Sequence, residues 1–169
     1  MDIARISPSE AELRAAARAG TPVLVTAAGL RCSPEVVAFL RRLESAALPT
    51  AAVVSGRCDA SALAVLATVT LGFVTDDVVV DVDAATVLAL GLTSSLPAAL
   101  GGARARGLLF AESVNAHTLR ASGLARFGDP SAAVRRLAEP SAALLARSLW
   151  FAGRSTPAQA RDYDRELLA

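Results

Sequence analysis

The sequence predicts an α/β protein built around a largely parallel β-sheet, and two observations support this prediction. The first is a series of short apolar segments that do not alternate in polarity, such as Pro22–Thr26 and Ala51–Ser55. Such strands are typical of parallel sheets, because helices cover both of their faces. The second is the set of helices between these segments, several of which begin at a Ser-Pro or Thr-Pro pair. Alternating strands and helices indicate the α/β class.

The elements of the first half follow from their start and stop signals. Ser7, as an N-cap before Pro8 and with Glu10 at capping-box spacing, predicts a helix that continues to Gly20. Ser33-Pro34 predicts the start of a second helix, with an apolar face that includes Val36, Leu40 and Leu43. The other elements predicted here are strands over residues 22–26, 51–55, 69–74 and 78–82 and an apolar helix over residues 60–67.

After Gly91 the sequence predicts helices only. They span residues 97–110 with an interruption at Gly101-Gly102, then 116–122, 130–137, 140–150 and 156–168. A length of 169 residues suits a single domain. We expect an α/β core over residues 1–125 and a helical C-terminal region over residues 126–169.

Composition and charge exclude several classes of function. The net charge of +1 predicts no nucleic-acid interface, and all basic residues are Arg, so a Schiff-base lysine is absent. The most apolar stretch, Ala60–Val74, is shorter than the roughly 20 residues of a membrane span. No signal peptide is recognisable at the start of the chain, and we therefore expect a cytoplasmic protein.

The sequence predicts no metal site. Cys32, Cys58 and the single histidine have none of the spacings that bind zinc. The four aspartates at positions 76, 77, 81 and 83 fit no calcium loop, because the glycine and the terminal glutamate of that loop are missing. We expect Asp81 and Asp83 to face solvent from a strand.

Several segments, taken in order, resemble motifs of the crotonase (enoyl-CoA hydratase/isomerase) superfamily. Residues 48–56, LPTAAVVSG, resemble the family strand written xPxIAAVNG. Leu90-Gly91-Leu92, followed by Pro97 and Gly101-Gly102, resembles the motif LGLxPxxGG. Residues 114–124 resemble VxAxEAxxxGL, and residues 137–144 resemble IAxxPPxAL. The resemblance implies the ClpP/crotonase fold, a spiral of βα units with a helical C-terminal region.

The resemblance also implies a ligand and an assembly. The ligand would be an acyl-CoA or acyl-carrier thioester, with no tightly bound cofactor. Its enolate would be stabilised by two backbone N–H groups, which carry over to the regions of Glu35 and Ser61. The family forms trimers or pairs of trimers through its C-terminal helices, so we expect a homo- or hetero-oligomer. Trp150, Phe151, Leu167 and Leu168 would supply apolar contacts.

The chain departs from the family at the positions of its two catalytic glutamates, which fall on Ala64 and Val87. No carboxylate pair remains there for acid–base chemistry. Asp59 could be a displaced acid or a cap of the following helix, and His117 could be a catalytic or an exposed histidine. Cys58 could be a nucleophile or a buried structural thiol. Ser61 replaces a family glycine, and its Cβ is expected to hinder the approach of a ligand.

Two functions remain open, with a third interpretation in which the resemblance is compositional and the domain is unrelated. The first is an enoyl-CoA hydratase/isomerase-like protein that binds an acyl thioester and could act as a lyase or isomerase through non-standard acid–base residues. The second is a non-catalytic crotonase-fold subunit, either a scaffold or a ligand sensor in an oligomer.

Overall fold

The computed structural model describes residues 3–46, 48–153 and 155–168, and the side chains of Trp150 and Leu168 lie outside the described part. The strands are Ala4–Ile6 (β1), Val23–Ala28 (β2), Thr50–Ser55 (β3), Arg57–Asp59 (β4), Leu71–Val74 (β5), Val79–Asp81 (β6) and Ser113–Asn115 (β7). The helices are Glu10–Ala19 (α1), Pro34–Ser45 (α2), Ser61–Thr68 (α3), Ala84–Ala89 (α4), Leu92–Leu100 (α5), Gly102–Leu109 (α6), Ala116–Ser122 (α7), Pro130–Leu137 (α8), Pro140–Ala152 (α9) and Pro157–Leu168 (α10).

The larger sheet has four strands in the order β1-β2-β3-β5, and every pair in it is parallel. Its register pairs Val23 with Thr50 and Ala51 with Leu71. A smaller sheet has the order β4-β6-β7, in which β4 and β6 are parallel and β6 and β7 are antiparallel. The prediction of an α/β protein with a largely parallel sheet and a helical C-terminal region is confirmed.

Both faces of the larger sheet are covered, which explains why its strands carry few polar residues. On one face, side chains such as Val25 and Val54 join the main core with residues of α1, α2 and α3. On the other face, a second cluster combines strand residues with two side chains of α8. Its buried members are Leu24, Ala51, Phe73, Val134 and Leu137. Alternate residues of each strand therefore serve two separate cores.

The helices after residue 126 pack in two different ways. Helix α8 covers the sheet, whereas α9 and α10 pack mainly on each other. The rings of Phe151 and Tyr163 stack with their centroids 4.3 Å apart. The first helix after the predicted boundary at residue 125, α8, therefore shares a core with the sheet. The role of residues 126–169 in oligomerisation stays a prediction.

The start of α1 differs from its prediction. Ser9, not Ser7, is the N-cap, because its hydroxyl accepts the backbone N–H of Glu12. Ser7 lies outside the helix, and its own N–H donates to the Glu12 carboxylate at 2.8 Å. The capping spacing is thus satisfied two residues later than predicted. The predicted caps Ser33 and Gly20 of α2 and α1 are confirmed.

Three short elements were not predicted, namely β4, β7 and α4. Each strand has three residues, too few for a recognisable period. Helix α4 begins at the N-cap Asp83, whose carboxylate accepts the N–H of Thr86 at 2.8 Å. Asp83 is exposed, as expected, but it does not lie on a strand, because β6 ends at Asp81. Helix α5 also begins before Pro97, which lies inside it.

Among the described residues, no helix combines the length and the apolar composition that crossing a membrane requires.

Candidate functional site

The candidate site lies beyond the carboxyl ends of β2 and β3, the edge at which open parallel sheets commonly bind ligands. Gly29 follows β2 and Gly56 follows β3, and both have positive φ angles, 58° and 69°. The two turns lie close together, since a Cβ on Gly56 would stand 3.7 Å from the backbone nitrogen of Gly29. Two glycines therefore bring the loop after β2 (residues 29–33) against β4.

Three hydrogen bonds that involve no charged side chain help to hold this loop in place. The N–H of Gly29 donates to the carbonyl of Ser55 at 2.9 Å, and the N–H of Asp59 donates to the carbonyl of Leu30 at 3.0 Å. The N–H of Leu30 donates to Sγ of Cys58 at 3.2 Å. The position of the loop is thus determined mainly by backbone pairing with the turn and with β4.

Asp59 connects the loop to the start of α3 through both of its carboxylate oxygens. Oδ1 accepts the backbone N–H of Ser61 at 2.9 Å, and Oδ2 accepts the backbone N–H of Cys32 at 2.6 Å. Asp59 is partly buried. Two N–H groups from separate segments therefore converge on a volume the size of one carboxylate, which is an arrangement suited to binding a negatively charged oxygen.

Ser61, the first residue of α3, has a fully buried side chain. Its Oγ has no hydrogen-bond partner among the described residues, which for a buried hydroxyl costs about 1–3 kcal/mol. The helix N-cap is Ala60, which supplies no side-chain cap. The Asp59 carboxylate is consequently the group that satisfies the first backbone N–H of this helix.

Glu35 lies on the exposed first turn of α2. Hydrogen bonds from its own backbone N–H and from the Ser33 hydroxyl to its carboxylate lower the pKa of Glu35. The N–H group that shares the Asp59 carboxylate with the N–H of Ser61 belongs to Cys32. Counting along the motifs did not single out Cys32, because residues 29–33 contain no motif that identifies which N–H bonds Asp59. The assignment of an oxyanion donor to the Glu35 region stays a prediction.

Ala64 on α3 and Val87 on α4 are the residues to which counting along the sequence assigns the two glutamate positions. Both side chains are buried, with 6% and 7% of their surface exposed, and both belong to the main hydrophobic core. Neither can exchange a proton. Of the residues singled out here as acid–base candidates, Asp59 alone contacts the two N–H groups.

The structure does not bring His117 together with Asp59. In the smaller sheet Asp59 pairs with Asp81 of β6, and Asp81 pairs with Ser113, the first residue of β7. Strand β7 is antiparallel to β6, so the chain runs from Ser113 towards the edge of the sheet opposite Asp59. His117 follows β7 beyond that opposite edge. His117 is exposed at the start of α7.

Cys58 is fully buried in β4. Burial raises the pKa of the Cys58 thiol, which disfavours the nucleophilic thiolate. Its Sγ accepts the N–H of Leu30 and lies 3.4 Å from the carbonyl of Ser55, to which it donates. These contacts indicate a structural thiol that helps to hold the loop.

The four aspartates between positions 76 and 83 each have a separate partner. Asp81 binds Arg57 through two hydrogen bonds of 2.7 and 2.8 Å, and Arg31 lies 3.9 Å from it. The other pairs are Asp76 with Arg120, Asp77 with the Thr75 hydroxyl, and Asp83 with the N–H of Thr86. Among the described residues, no group of His, Cys, Asp and Glu is arranged to hold a metal ion.

Comparison with known proteins identifies the fold. An enoyl-CoA hydratase subunit I from Geobacillus kaustophilus has a TM-score of 0.72 at 18% identity, over 94% of this chain and 75% of its own. An enoyl-CoA hydratase/isomerase family protein from Silicibacter pomeroyi has a TM-score of 0.71 at 14% identity, over 98% and 93%. An enoyl-CoA hydratase from Mycobacterium smegmatis has a TM-score of 0.68 at 19% identity, over 97% and 80%.

These similarities confirm the predicted crotonase-type fold, and at such low identity they establish the fold alone. No protein-family model matches the chain, and no curated protein matches its sequence.

Proposed function

We propose that this chain is an enoyl-CoA hydratase/isomerase-like protein that binds the acyl thioester of CoA or of an acyl carrier. The backbone N–H groups of Cys32 and Ser61 would face the thioester oxygen. The fold supports this proposal, since it is shared with proteins described as enoyl-CoA hydratases and isomerases. No tightly bound cofactor is required, because binding and polarisation of a thioester need only hydrogen-bond donors.

The convergence of the two N–H groups is the observation that carries this proposal. Both groups reach one carboxylate, at 2.6 and 2.9 Å, from two different segments of the chain. A thioester enolate also presents a negatively charged oxygen that accepts from two donors. Preorganised donors of this kind stabilise charge as it develops, without requiring any particular side chain.

The proposed chemistry does not include hydration by a glutamate pair, because Ala64 and Val87 carry no proton-transferring group. Isomerisation or another enolate reaction would need an acid or base at a different position. Asp59 is the candidate nearest the two donors, and Glu35 and His117 lie on exposed helix starts. If the protein is an enzyme of the lyase or isomerase type, we expect Asp59 rather than His117 to transfer the proton.

A non-catalytic crotonase-fold subunit, acting as scaffold or ligand sensor, is the second candidate function. The observation that favours it is the engagement of Asp59, which already accepts both N–H groups and is not free to accept a substrate proton at the same time. In this function the thioester would be bound or sensed but not converted.

Assembly into a trimer or hexamer, or with a different partner chain, is part of the proposal. Exposed apolar side chains on α9 support it, since Leu145 and Leu149 expose about two thirds of their surface, 65% and 67%. Helix α9 has few contacts with the sheet, so these residues are available to another subunit. Light scattering is expected to give a multiple of the 17.3 kDa chain, and a clean monomer would contradict this part. We also propose a cytoplasmic location.

Calorimetry with matched ligands tests thioester binding. Butyryl-CoA and S-butyl-CoA differ only in the carbonyl, which the thioether replaces by a methylene group. In Asp59→Ala, which frees both N–H groups, two hydrogen bonds worth about 0.5–1.5 kcal/mol each predict that butyryl-CoA binds at least about fivefold more tightly than S-butyl-CoA. Equal affinities would remove the role of the N–H pair, and the absence of heat with either ligand at millimolar concentration would contradict the proposal. With crotonyl-CoA, persistent 2-enoyl absorbance despite binding would favour the non-catalytic function.

A further inference from the structure

We propose that the Asp59 carboxylate occupies the candidate site and prevents a ligand oxygen from binding to the N–H groups of Cys32 and Ser61. A thioester oxygen would bind only after the Asp59 carboxylate has moved away. The inference rests on the proposed function for the identity of the ligand, although the contact itself lies within the chain. It makes thioester binding conditional on a change of conformation at one side chain.

The hydrogen bonds leave neither N–H group available. Each group has a single proton, and each donates it to a different oxygen of Asp59 in a short, charge-assisted bond. A carbonyl oxygen is a weaker acceptor than a carboxylate, because it carries no net charge. Without a ligand, the closed arrangement is therefore the favoured one.

The carboxylate can leave without moving the two donors. The Asp59 backbone is held by its N–H bond to the Leu30 carbonyl and by the pairing of β4 with β6. The loop is held separately by the bonds of Gly29 and Leu30. Rotation about the Asp59 Cα–Cβ bond would swing the carboxylate out while the donors keep their positions. The partial exposure of Asp59 leaves a route to solvent.

Asp83 provides a matched control for this contact. It is also an aspartate whose carboxylate accepts a backbone N–H at a helix start, that of Thr86 at 2.8 Å. However, all of its hydrogen-bond partners lie within residues 83–86, so it connects no second segment. Loss of the Asp83 carboxylate removes one negative charge and one helix cap, as at Asp59, but leaves Cys32 and Ser61 unchanged.

The first experiment detects the contact without a thioester, by two-dimensional NMR of the backbone amides. In Asp59→Ala we expect the Cys32 and Ser61 resonances to move from their wild-type positions, and acetate at about 100 mM to move them further by filling the vacated position. Acetate should leave both resonances unchanged in the wild-type protein and in Asp83→Ala. Unchanged resonances in Asp59→Ala, or no response of that variant to acetate, would overturn the inference.

The second experiment measures the affinity for butyryl-CoA. If the site is open for less than about one tenth of the time, Asp59→Ala should bind at least about tenfold more tightly than wild type, since apparent affinity falls with the open fraction. Asp83→Ala should bind like wild type. Equal binding by wild type and Asp59→Ala would overturn the inference and leave the proposed function standing. Absence of binding to every variant, together with the acetate response, would remove the proposed function and retain the Asp59 contact.

Asp59→Asn covers the case in which Asp59→Ala does not fold. An asparagine has the same shape, but its single carbonyl can accept only one of the two N–H groups and its NH₂ group faces the other. We expect one of the two amide resonances to move strongly and the affinity for butyryl-CoA to rise. Wild-type resonances and wild-type affinity in this variant would overturn the inference.

Discussion

Two parts of the candidate site differ in the chemistry that they offer. In the backbone part, the N–H groups of Cys32 and Ser61 converge on one carboxylate. The side-chain part, at Ala64 and Val87, is apolar and belongs to the hydrophobic core. The two parts are close in sequence, since Ser61 and Ala64 lie on the same helix, yet one suits anion binding and the other does not support proton transfer.

The difference has a physical cause. Every residue except proline carries a backbone N–H, so the position of a donor depends on the fold and not on the identity of the side chain. A catalytic carboxylate, in contrast, is lost by a single substitution, and an apolar residue at a buried position adds to the core. The convergence of the two N–H groups therefore does not depend on the apolar residues at positions 64 and 87.

The largest expected effect comes from placing a carboxylate in the side-chain part. Val87→Glu should lower the free energy of unfolding by about 3–5 kcal/mol, because a charge would be buried without a partner. Leu88→Glu, one position along α4 at a side chain that is 69% exposed, should change it by less than about 0.5 kcal/mol. Urea unfolding measures both. Equal stability of the two variants would mean that position 87 is open to solvent and that the comparison is wrong.

A smaller effect is expected from disturbing the packing that supports the backbone part. A Cβ at Gly72 would lie 2.5 Å from the carbonyl oxygen of Leu124 and 2.8 Å from Cδ2 of Leu66. Gly72→Ala should therefore cost about 1–3 kcal/mol and shift the Ser61 amide resonance, since Leu66 and Ser61 share α3.

Gly107→Ala is the control for that change. The position is helical and nothing lies within 4 Å of an added Cβ, so we expect a gain of about 0.5–1 kcal/mol from helix propensity. The Ser61 amide should not move. A Ser61 shift in Gly107→Ala, or none in Gly72→Ala, would show that the donor geometry does not depend on the packing of α3 against β5.

The smallest effect concerns Asp83, the N-cap of α4, whose carboxylate contacts only the start of that helix. Hydrogen bonds from the N–H and hydroxyl of Thr86 lower the pKa of Asp83. A carboxyl whose pKa is lower in the folded state stabilises it above the unfolded pKa of about 3.9, and this contribution disappears as pH falls through the folded pKa. Asp83→Asn should therefore show a shallower loss of unfolding free energy than wild type below about pH 4. Identical slopes would contradict the assignment of Asp83 as a stabilising cap.

Much of the fold could be predicted because its signals are local. The Ser33 cap, the glycine after α1 and the apolar strands around Val25 and Val54 were recognisable from a few neighbouring residues each. Helix α4 and the three-residue strands β4 and β7 were missed, since they are too short to show a period. The cap of α1 was misplaced because Ser7 and Ser9 both precede glutamates at suitable distances.

The candidate site was predictable only in part. Counting along the motifs placed Ser61 as a donor and Asp59 beside it, and it placed Ala64 and Val87 at the glutamate positions. Cys32 could not be found in this way, because which N–H of a loop faces the site depends on how that loop pairs with β4. Only one half of the Asp59 bridge has a local signal. The bond to Ser61, two residues away, matches the predicted cap of the following helix, whereas Cys32 lies 27 residues away and has none.

The sequence by itself determined the α/β class, the resemblance to the crotonase superfamily and the absence of glutamates at positions 64 and 87. These properties depend on residue identity and on short-range patterns. The tertiary structure alone decided that the N–H groups of Cys32 and Ser61 both donate to the Asp59 carboxylate. Hydrogen bonds between distant segments form only when the fold brings them within about 3 Å, so they follow from packing and not from spacing along the chain.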